Sequence, residues 1–424
     1  MSNTTRVLLA LVVGAALGLA LALWAPGAAA SAAALAQPVG KLWLNALQMT
    51  VVPLVAAMIV LGINTARNAA STGRTARNAI IVFVVLLTLA ATLTAVLAPA
   101  LLSLVPHDPA LAAALRGTGE AATAPPATAG IGDWLATVVP TNAIAAAAAG
   151  AMLPLVVFSL FFGFALTRID GERRAALLRI VQAVADTMIV IVRWVLLAAP
   201  VGVFALALAM TATVGHGILA ALATYIGLLI GMYLLVIALM YPVAVLAGRE
   251  RLGRFASAIL PAQAIAASTQ SSLASLPAMI EVARTRLGYG VAVPSLVLPM
   301  AVSLFRITSP IQYLVVASFI AWAYGIPLDP ALLAGGVALA VVVSMGSVGL
   351  PGQAIFMATN LPVVQALGLP VAPLGILLAL DAIPDVFATV GNVTADLTAT
   401  AVTARGQAGD EDETAAGDTP APSA

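Results

Sequence analysis

Apolar residues run along this chain in unbroken blocks of about 20 or more, the length that spans a bilayer as a helix. The blocks cover roughly 4–24, 42–63, 78–105, 134–167, 183–214, 217–247, 288–325 and 366–400. They are continuous rather than alternating, which predicts helices and excludes a β-barrel, the only other fold that satisfies its backbone in hydrocarbon. Two further apolar stretches, roughly 255–283 and 331–362, are interrupted by small, polar and proline residues. The segment 106–133 is rich in Ala, Pro, Gly and Thr and is expected to be an external loop. From Gly406 the chain carries Asp410, Glu411, Asp412 and Glu413, then small residues and prolines. That composition predicts a disordered tail over 406–424.

Composition sharpens this picture. Hydrophobic residues make up 62% and charged residues 8%, with a mean hydropathy of +1.09. A soluble domain carries about a quarter charged residues, so lipid must solvate most of this surface. The chain has no cysteine, which excludes disulfides, thiolate catalysis and cysteine metal sites. His107 and His216 both fall in expected external loops, so no histidine metal site is expected. The formal net charge of +1 points to no nucleic-acid partner. The first apolar run, Val7 to Trp24, follows Arg6 and resembles a signal peptide; its length and the later spans favour a retained helix.

Basic residues orient the chain. If the N-terminus is cytoplasmic and the two interrupted stretches do not cross, only Lys41 and Arg116 of the 18 Lys and Arg face outside. Arg193 and Arg306 lie within spans, and every other arginine, Arg284 and Arg286 included, is cytoplasmic. The expectation is eight transmembrane helices plus two re-entrant hairpins, with both termini inside the cell membrane.

The interruptions carry chemistry. Ser268-Thr269-Gln270-Ser271-Ser272-Leu273-Ala274-Ser275-Leu276-Pro277 lies in the first and Ser344-Met345-Gly346-Ser347-Val348-Gly349-Leu350-Pro351-Gly352-Gln353 in the second. Unwound backbone at membrane depth is tolerated only where protein or a wet cavity covers it, so paired breaks point to a midplane binding site. Ordinary kinked helices are the plainer alternative. In the last span Asp381 and Asp385, spaced i and i+4, are expected on one face, and Asp385, Thr389, Asn392 and Asp396 form one stripe. A carboxylate at the bilayer centre costs about 2.5–3.5 kcal/mol on insertion scales, so these acids are functional candidates. The alternative is structural pairing with arginine, for which only Arg306 and Arg193 are at the right depth.

In this order and at these separations the motifs resemble the dicarboxylate/amino acid:cation symporter family, the glutamate-transporter-like secondary carriers. They include Val139-Pro140-Thr141-Asn142, Ala198-Ala199-Pro200-Val201-Gly202-Val203-Phe204-Ala205-Leu206, the serine-rich Thr269–Pro277, Gly349-Leu350-Pro351-Gly352, and Asp381–Asp396 with Asn392-Val393-Thr394. The resemblance implies an all-α polytopic membrane protein with an elevator fold of inverted repeats, a homotrimer, and one membrane domain over 1–405. It implies a scaffold from about 4–63 and 134–214 and a transport domain from about 78–105 and 217–400. It implies a non-enzymatic symporter of a C4-dicarboxylate or an amino acid, without cofactor and coupled to sodium ions or protons. By motif position, the substrate would touch Ser272, Ser309, Gly349, Leu350, Asp385, Thr389 and Asn392, with Asp385 receiving an ammonium; Ser271, Arg306 and Ala388 complete the expected substrate site. Sodium would be held by Asn392 and Asp396, and by carbonyls near Ser303, Ser344, Met345 and Ser347.

Two departures matter. The family's Asn-Met-Asp-Gly-Thr is here Phe305-Arg306-Ile307-Thr308-Ser309, and the third span offers Val85, Thr88 and Leu89 where hydroxyl and aromatic ligands are expected. That implies the loss of one sodium site. Ala388 stands where acidic-amino-acid carriers place an arginine for the side-chain carboxylate. Arg306 could replace that arginine, act as a tethered cation beside Asp396 or Asp385, or form a static salt bridge. A sodium-independent or proton-coupled carrier of neutral amino acids is the alternative function. A membrane enzyme lacks a visible nucleophile or metal triad, and a channel would not show solute counterflow.

Overall fold

A computed structural model describes residues 3–71, 73–106, 138–214, 217–346 and 352–417. Among the described residues there are 17 helices and no strand. They are α1 (Asn3–Trp24), α2 (Pro26–Gln48), α3 (Val51–Ala70), α4 (Arg74–Leu102), α5 (Ala143–Ala148), α6 (Met152–Leu166), α7 (Gly171–Leu197), α8 (Ala199–Val214) and α9 (Gly217–Leu246). The second half holds α10 (Leu252–Thr269), α11 (Ser272–Thr285), α12 (Ala292–Leu304), α13 (Thr308–Tyr324), α14 (Pro330–Gly346), α15 (Gly352–Ala366), α16 (Leu374–Leu380) and α17 (Asp385–Gly417). Six helical segments are long and apolar enough to cross a membrane, or seven if the bent pair α16 and α17 is one span.

Several expected spans are broken, each for a local reason. Pro26 sits in the first turn of α2, where its missing N–H costs nothing, so helix resumes immediately after α1 and begins well before the expected residue 42. The fourth block divides at Gly150, whose φ of +66° needs glycine, and Asn142 caps α5 by accepting from the N–H groups of Ile144 and Ala145. The last block bends by 75° between α16 and α17. Pro384 disfavours helix in the residue before it and lacks a donor. Asp381 therefore caps α16 instead of continuing the helix that carries Asp385. That last helix runs to Gly417, through part of the segment expected as a tail.

The packing falls into two sets. In the first, α1 and α2 pack on α8, and α3 packs on α6 and α7. In the second, α13 is buried on nearly every face and packs against α4, α9, α14 and α15, while α17 packs against α9, α10, α12 and α4. A helix apolar all round belongs at the centre of a bundle. The sets meet chiefly where α14 and α15 lie against α3. There a Cβ added to Gly62 would lie 2.8 Å from the Gly346 Cα, so the two backbones touch without interlocking side chains.

Close backbone approach also joins α1 to α8. Gly14 and Gly18, four apart, bring α1 against Phe204, Leu208 and Thr211; a Cβ at Gly18 would sit 2.1 Å from Thr211 Oγ1 and 2.5 Å from the Leu208 carbonyl oxygen. In lipid, where apolar burial gives little driving force between helices, such small-residue contacts hold them together. Gly18→Leu is expected to cost about 1–3 kcal/mol through overpacking against backbone that cannot yield. Gly27→Leu, with open space around it, should cost far less; thermal unfolding of both variants in detergent checks the difference.

Candidate functional site

The site is built around the break between α12 and α13. Three residues, Phe305, Arg306 and Ile307, separate the helices. The break's start of α13 and its Arg306 carbonyl are satisfied by side chains from elsewhere in the sequence. Asn392 of α17 accepts from the backbone N–H of Thr308 at 3.1 Å and from its hydroxyl at 2.9 Å. The Ser344 hydroxyl of α14 donates to the Arg306 carbonyl at 3.1 Å, which also accepts from the Ser309 N–H at 3.0 Å. Helix ends leave orphan polar groups, and buried ones must find partners.

Phe305 and Ile307 are fully buried, and Phe305 stacks on Phe83 of α4 with centroids 4.7 Å apart and planes 8° from parallel. Apolar rings therefore occupy the side of the break that faces α4. Val85 and Leu89 are 49% and 61% exposed, and Thr88 is exposed too. The helical period instead turns Phe83, Leu86, Leu87 and Ala90 inward. The α4 positions read from the sequence as lost ligands thus face away from the break.

Arg306 points the other way, into a cavity it lines with Tyr233, Thr308, Ser309, Gln312, Tyr313, Ile355, Thr359, Asp381, Asp385 and Ala388. Its charge acts on Asp381, Asp385 and Asp396 together. Gln312 of α13 donates to Asp381. Asp385 is half-buried at the start of α17, so it presents to the cavity while Thr389 and Asn392 below it are buried. Asp396, two turns deeper than Thr389, is 0% exposed, and neither of its carboxylate oxygens has a hydrogen-bond partner among the described residues.

Of the expected substrate contacts, Arg306, Ser309, Asp385 and Ala388 come together in this cavity. Thr389 does not line it; its hydroxyl donates to the Asp385 carbonyl at 2.9 Å. Gln270 and Ser271 form the turn of the hairpin between α10 and α11, where Gln270 takes a φ of +50° and Ser271 caps α11 through the Ala274 N–H, and Ser272 opens that helix. Pro277 lies inside α11. Gly349, Leu350 and Ser347 lie outside the described residues. Of the expected sodium contacts, the Ser303 hydroxyl donates to the Pro299 carbonyl, and the Asn392 side-chain oxygen is already accepting two bonds. Met345 is half-buried and places its carbonyl oxygen 3.0 Å from where a Gly62 Cβ would be.

The sequence reading missed Gln312, Tyr233, Thr308, Ile355 and Thr359 as cavity walls. Gln312 had a signal, an amide in an otherwise apolar helix one turn after Thr308. Tyr233 had little, because an aromatic in a long apolar helix is usually packing.

A helical membrane bundle with a cavity enclosed between broken helices, lined by one guanidinium and two carboxylates, is the architecture of a polar-solute site at membrane depth. The model of the sodium:dicarboxylate symporter family matches residues 4–406, and the chain belongs to that family. It is 31% identical over 381 residues to the proton/glutamate-aspartate symporter of Escherichia coli (strain K12), covering 88% of this chain and 85% of that one. It is 30% identical over 379 residues to C4-dicarboxylate transport protein 2 of Polaromonas naphthalenivorans (strain CJ2), covering 87% and 82%. Against the proton/sodium-glutamate symport protein of Bacillus subtilis (strain 168) it is 26% identical over 375 residues, covering 86% and 85%.

The aromatic pair at the break is a packing element with a measurable weight. Phe305→Ala is expected to cost about 3–5 kcal/mol. A double-mutant cycle with Phe83→Ala should return a coupling of about 0.5–1.5 kcal/mol for the stack, read from chemical unfolding in detergent.

Proposed function

We propose that this chain is a secondary active transporter that carries a small carboxylate, either a C4-dicarboxylate or an amino acid, across the cell membrane with sodium ions or protons. The observation that carries the reading is a charge imbalance at membrane depth. Asp381, Asp385 and Asp396 share a single guanidinium, Arg306. A buried carboxylate with no partner is costly, and a co-bound proton or cation relieves that cost. Asp396, with two orphan oxygens, is the natural place for it. Tied this way, the coupling ion is bound only where the acids sit, so its gradient drives their occupancy and the solute with it. Family membership and the relatives' names, which couple glutamate to protons or sodium, point the same way.

The architecture we read is eight spans plus two re-entrant hairpins, α10 with α11 and α14 with α15, each pair packed on itself. The packing sets support a scaffold from about 4–63 and 134–214 and a transport domain from about 78–105 and 217–400. The smooth Gly62–Gly346 contact between them suits an elevator movement. A homotrimer suits α7, which leaves Asp186, Arg193 and Trp194 exposed; the two charges cost free energy against lipid, and other copies would cover them. The arginine distribution supports a cytoplasmic side for both termini.

Proteoliposomes with an imposed sodium or proton gradient should accumulate labelled substrate, and the matching ionophore should abolish the accumulation. Asp396→Asn should remain folded, keep solute counterflow, and lose gradient-driven accumulation by more than tenfold. Accumulation that ignores both gradients would favour the sodium-independent exchanger instead.

A further inference from the structure

A second charged constellation lies away from the cavity, at the base of the hairpin formed by α10 and α11. Three stretches remote in sequence meet there: the turn joining α9 to α10, the turn following α11, and the part of α17 that carries Arg405. Side-chain hydrogen bonds hold them together. Arg254 donates to the carbonyl oxygens of Arg286 at 3.3 Å and Leu287 at 2.7 Å. Tyr289 donates its hydroxyl to Glu250 at 2.8 Å, and Arg405 donates to the Ala247 carbonyl at 2.9 Å. Arg254 and Arg405 thus satisfy carbonyls left open where α11 and α9 end.

The same bonds gather Arg249, Arg251, Arg284 and Arg286 into one patch. All four are exposed, and no hydrogen bond or ion pair to the described residues engages their guanidinium groups. The acids of these turns and helix ends, Glu250 and Glu281, offset little of the charge, because Glu250 is engaged by Tyr289. Arg249 holds a φ of +57°, the left-handed region where a chain leaving a helix normally places glycine. Keeping an arginine there costs backbone strain, which points to a use for its side chain. The apolar neighbours indicate what the patch meets. Leu246, just before the turn, is 77% exposed, and Leu252, just after it, is 56% exposed. Arginines flanked by exposed leucines at the end of a spanning helix match the boundary of a bilayer, where phosphates lie beside acyl chains. A soluble acidic partner or a free phosphate would satisfy the arginines and leave the leucines in water.

We propose that this hairpin base binds the headgroups of anionic phospholipids, with Arg249, Arg251, Arg284 and Arg286 taking phosphate oxygens while Leu246 and Leu252 rest against acyl chains. A guanidinium presents its donors in a planar fork that fits phosphate oxygens two at a time. The surface belongs to the packing set that encloses the cavity, since α10 and α11 pack on α17. Anionic lipid therefore acts on the body that carries the site, whichever solute that site takes.

The test measures stabilisation of the purified full chain against thermal unfolding in a neutral detergent. Dioctanoyl phosphatidylglycerol, dioctanoyl phosphatidylcholine and inorganic phosphate would be titrated at matched ionic strength. Phosphatidylglycerol is expected to stabilise saturably, with an affinity about tenfold or more above the other two. Salt at about 0.5 M should weaken that affinity, because it screens exposed charge. Arg249→Gln/Arg251→Gln/Arg284→Gln/Arg286→Gln leaves the carbonyl bonds of Arg254 and Arg405 in place and should lose about tenfold or more of the affinity. A control, Arg67→Gln/Arg168→Gln/Arg173→Gln/Arg179→Gln, removes four exposed arginines of the other packing set and should lose less than about threefold. Equal affinity for the two lipids, or equal loss in both variants, would overturn the proposal. Inorganic phosphate binding as tightly as phosphatidylglycerol would show a free-anion site and overturn the lipid as its occupant. The chain's own Asp410, Glu411, Asp412 and Glu413 are the competing occupant. Truncation after Gly409 should change the affinity by less than about threefold, and a gain of about tenfold would assign the patch to that acidic segment instead. If the fourfold variant does not fold, Arg249→Gln/Arg251→Gln and Arg284→Gln/Arg286→Gln decide separately. Each is expected to weaken binding by about threefold, and no loss in either refutes the site.

Discussion

A helix interrupted inside a bilayer must have its exposed N–H and C=O groups satisfied by the protein itself, because no water reaches them from the lipid. The α12–α13 break meets this demand with two borrowed side chains, Asn392 from α17 and Ser344 from α14. Those two bonds tie together three elements that lie far apart in sequence. They fix where α13 begins, and so they fix which way Arg306 points. The position of the guanidinium, the placement of the acids around it and the shape of the cavity all follow from this local repair of the backbone.

The second consequence is electrostatic. Once α17 must supply Asn392 to the break, its helical period also brings Asp385 two stripe positions toward the cavity and Asp396 one position deeper. The chain bends by 75° between α16 and α17, yet the Asp385 N–H still donates to the Asp381 carbonyl at 3.1 Å, and both acids line the cavity. Three carboxylates end up within the field of one arginine. A static structure would gain from replacing such a cluster with apolar groups of similar size. Retaining it makes sense where the missing positive charge arrives and leaves as part of the work.

Much of this was legible in the sequence, for reasons that differ by element. The apolar blocks gave the helices because lipid leaves few alternatives to an internally bonded helix. The stripe Asp385, Thr389, Asn392 and Asp396 was legible because it lies on one uninterrupted helix, where spacing alone sets the face. Asp381 and Asp385 were expected on one face and both line the cavity, but the 75° bend between α16 and α17 is something that counting residues in a helix cannot supply. The inward face of α4 was also misread. In a span that is apolar all round, composition does not distinguish the lipid side from the protein side, so Phe83 gave no more signal than Val85. Gln312 and Ser344 were visible as polar residues in apolar helices. Their partners, Asp381 and the Arg306 carbonyl, were not, since those contacts join separate helices.

The Phe83–Phe305 stack and Arg306 are best understood as one change. A break that presents carboxamide and carboxylate oxygens toward α4 needs a bound cation there. This break turns Phe305 onto Phe83 of α4 and buries Ile307, filling that side with apolar atoms. Between them, Arg306 turns a permanent positive charge toward the acids of α17 from the other side of the same three residues. The rings seal the α4 side against water, which lowers the local dielectric and strengthens the reach of that charge. The coupling requirement then falls on the acids that a single guanidinium cannot offset, and Asp396 is the most deeply buried of them.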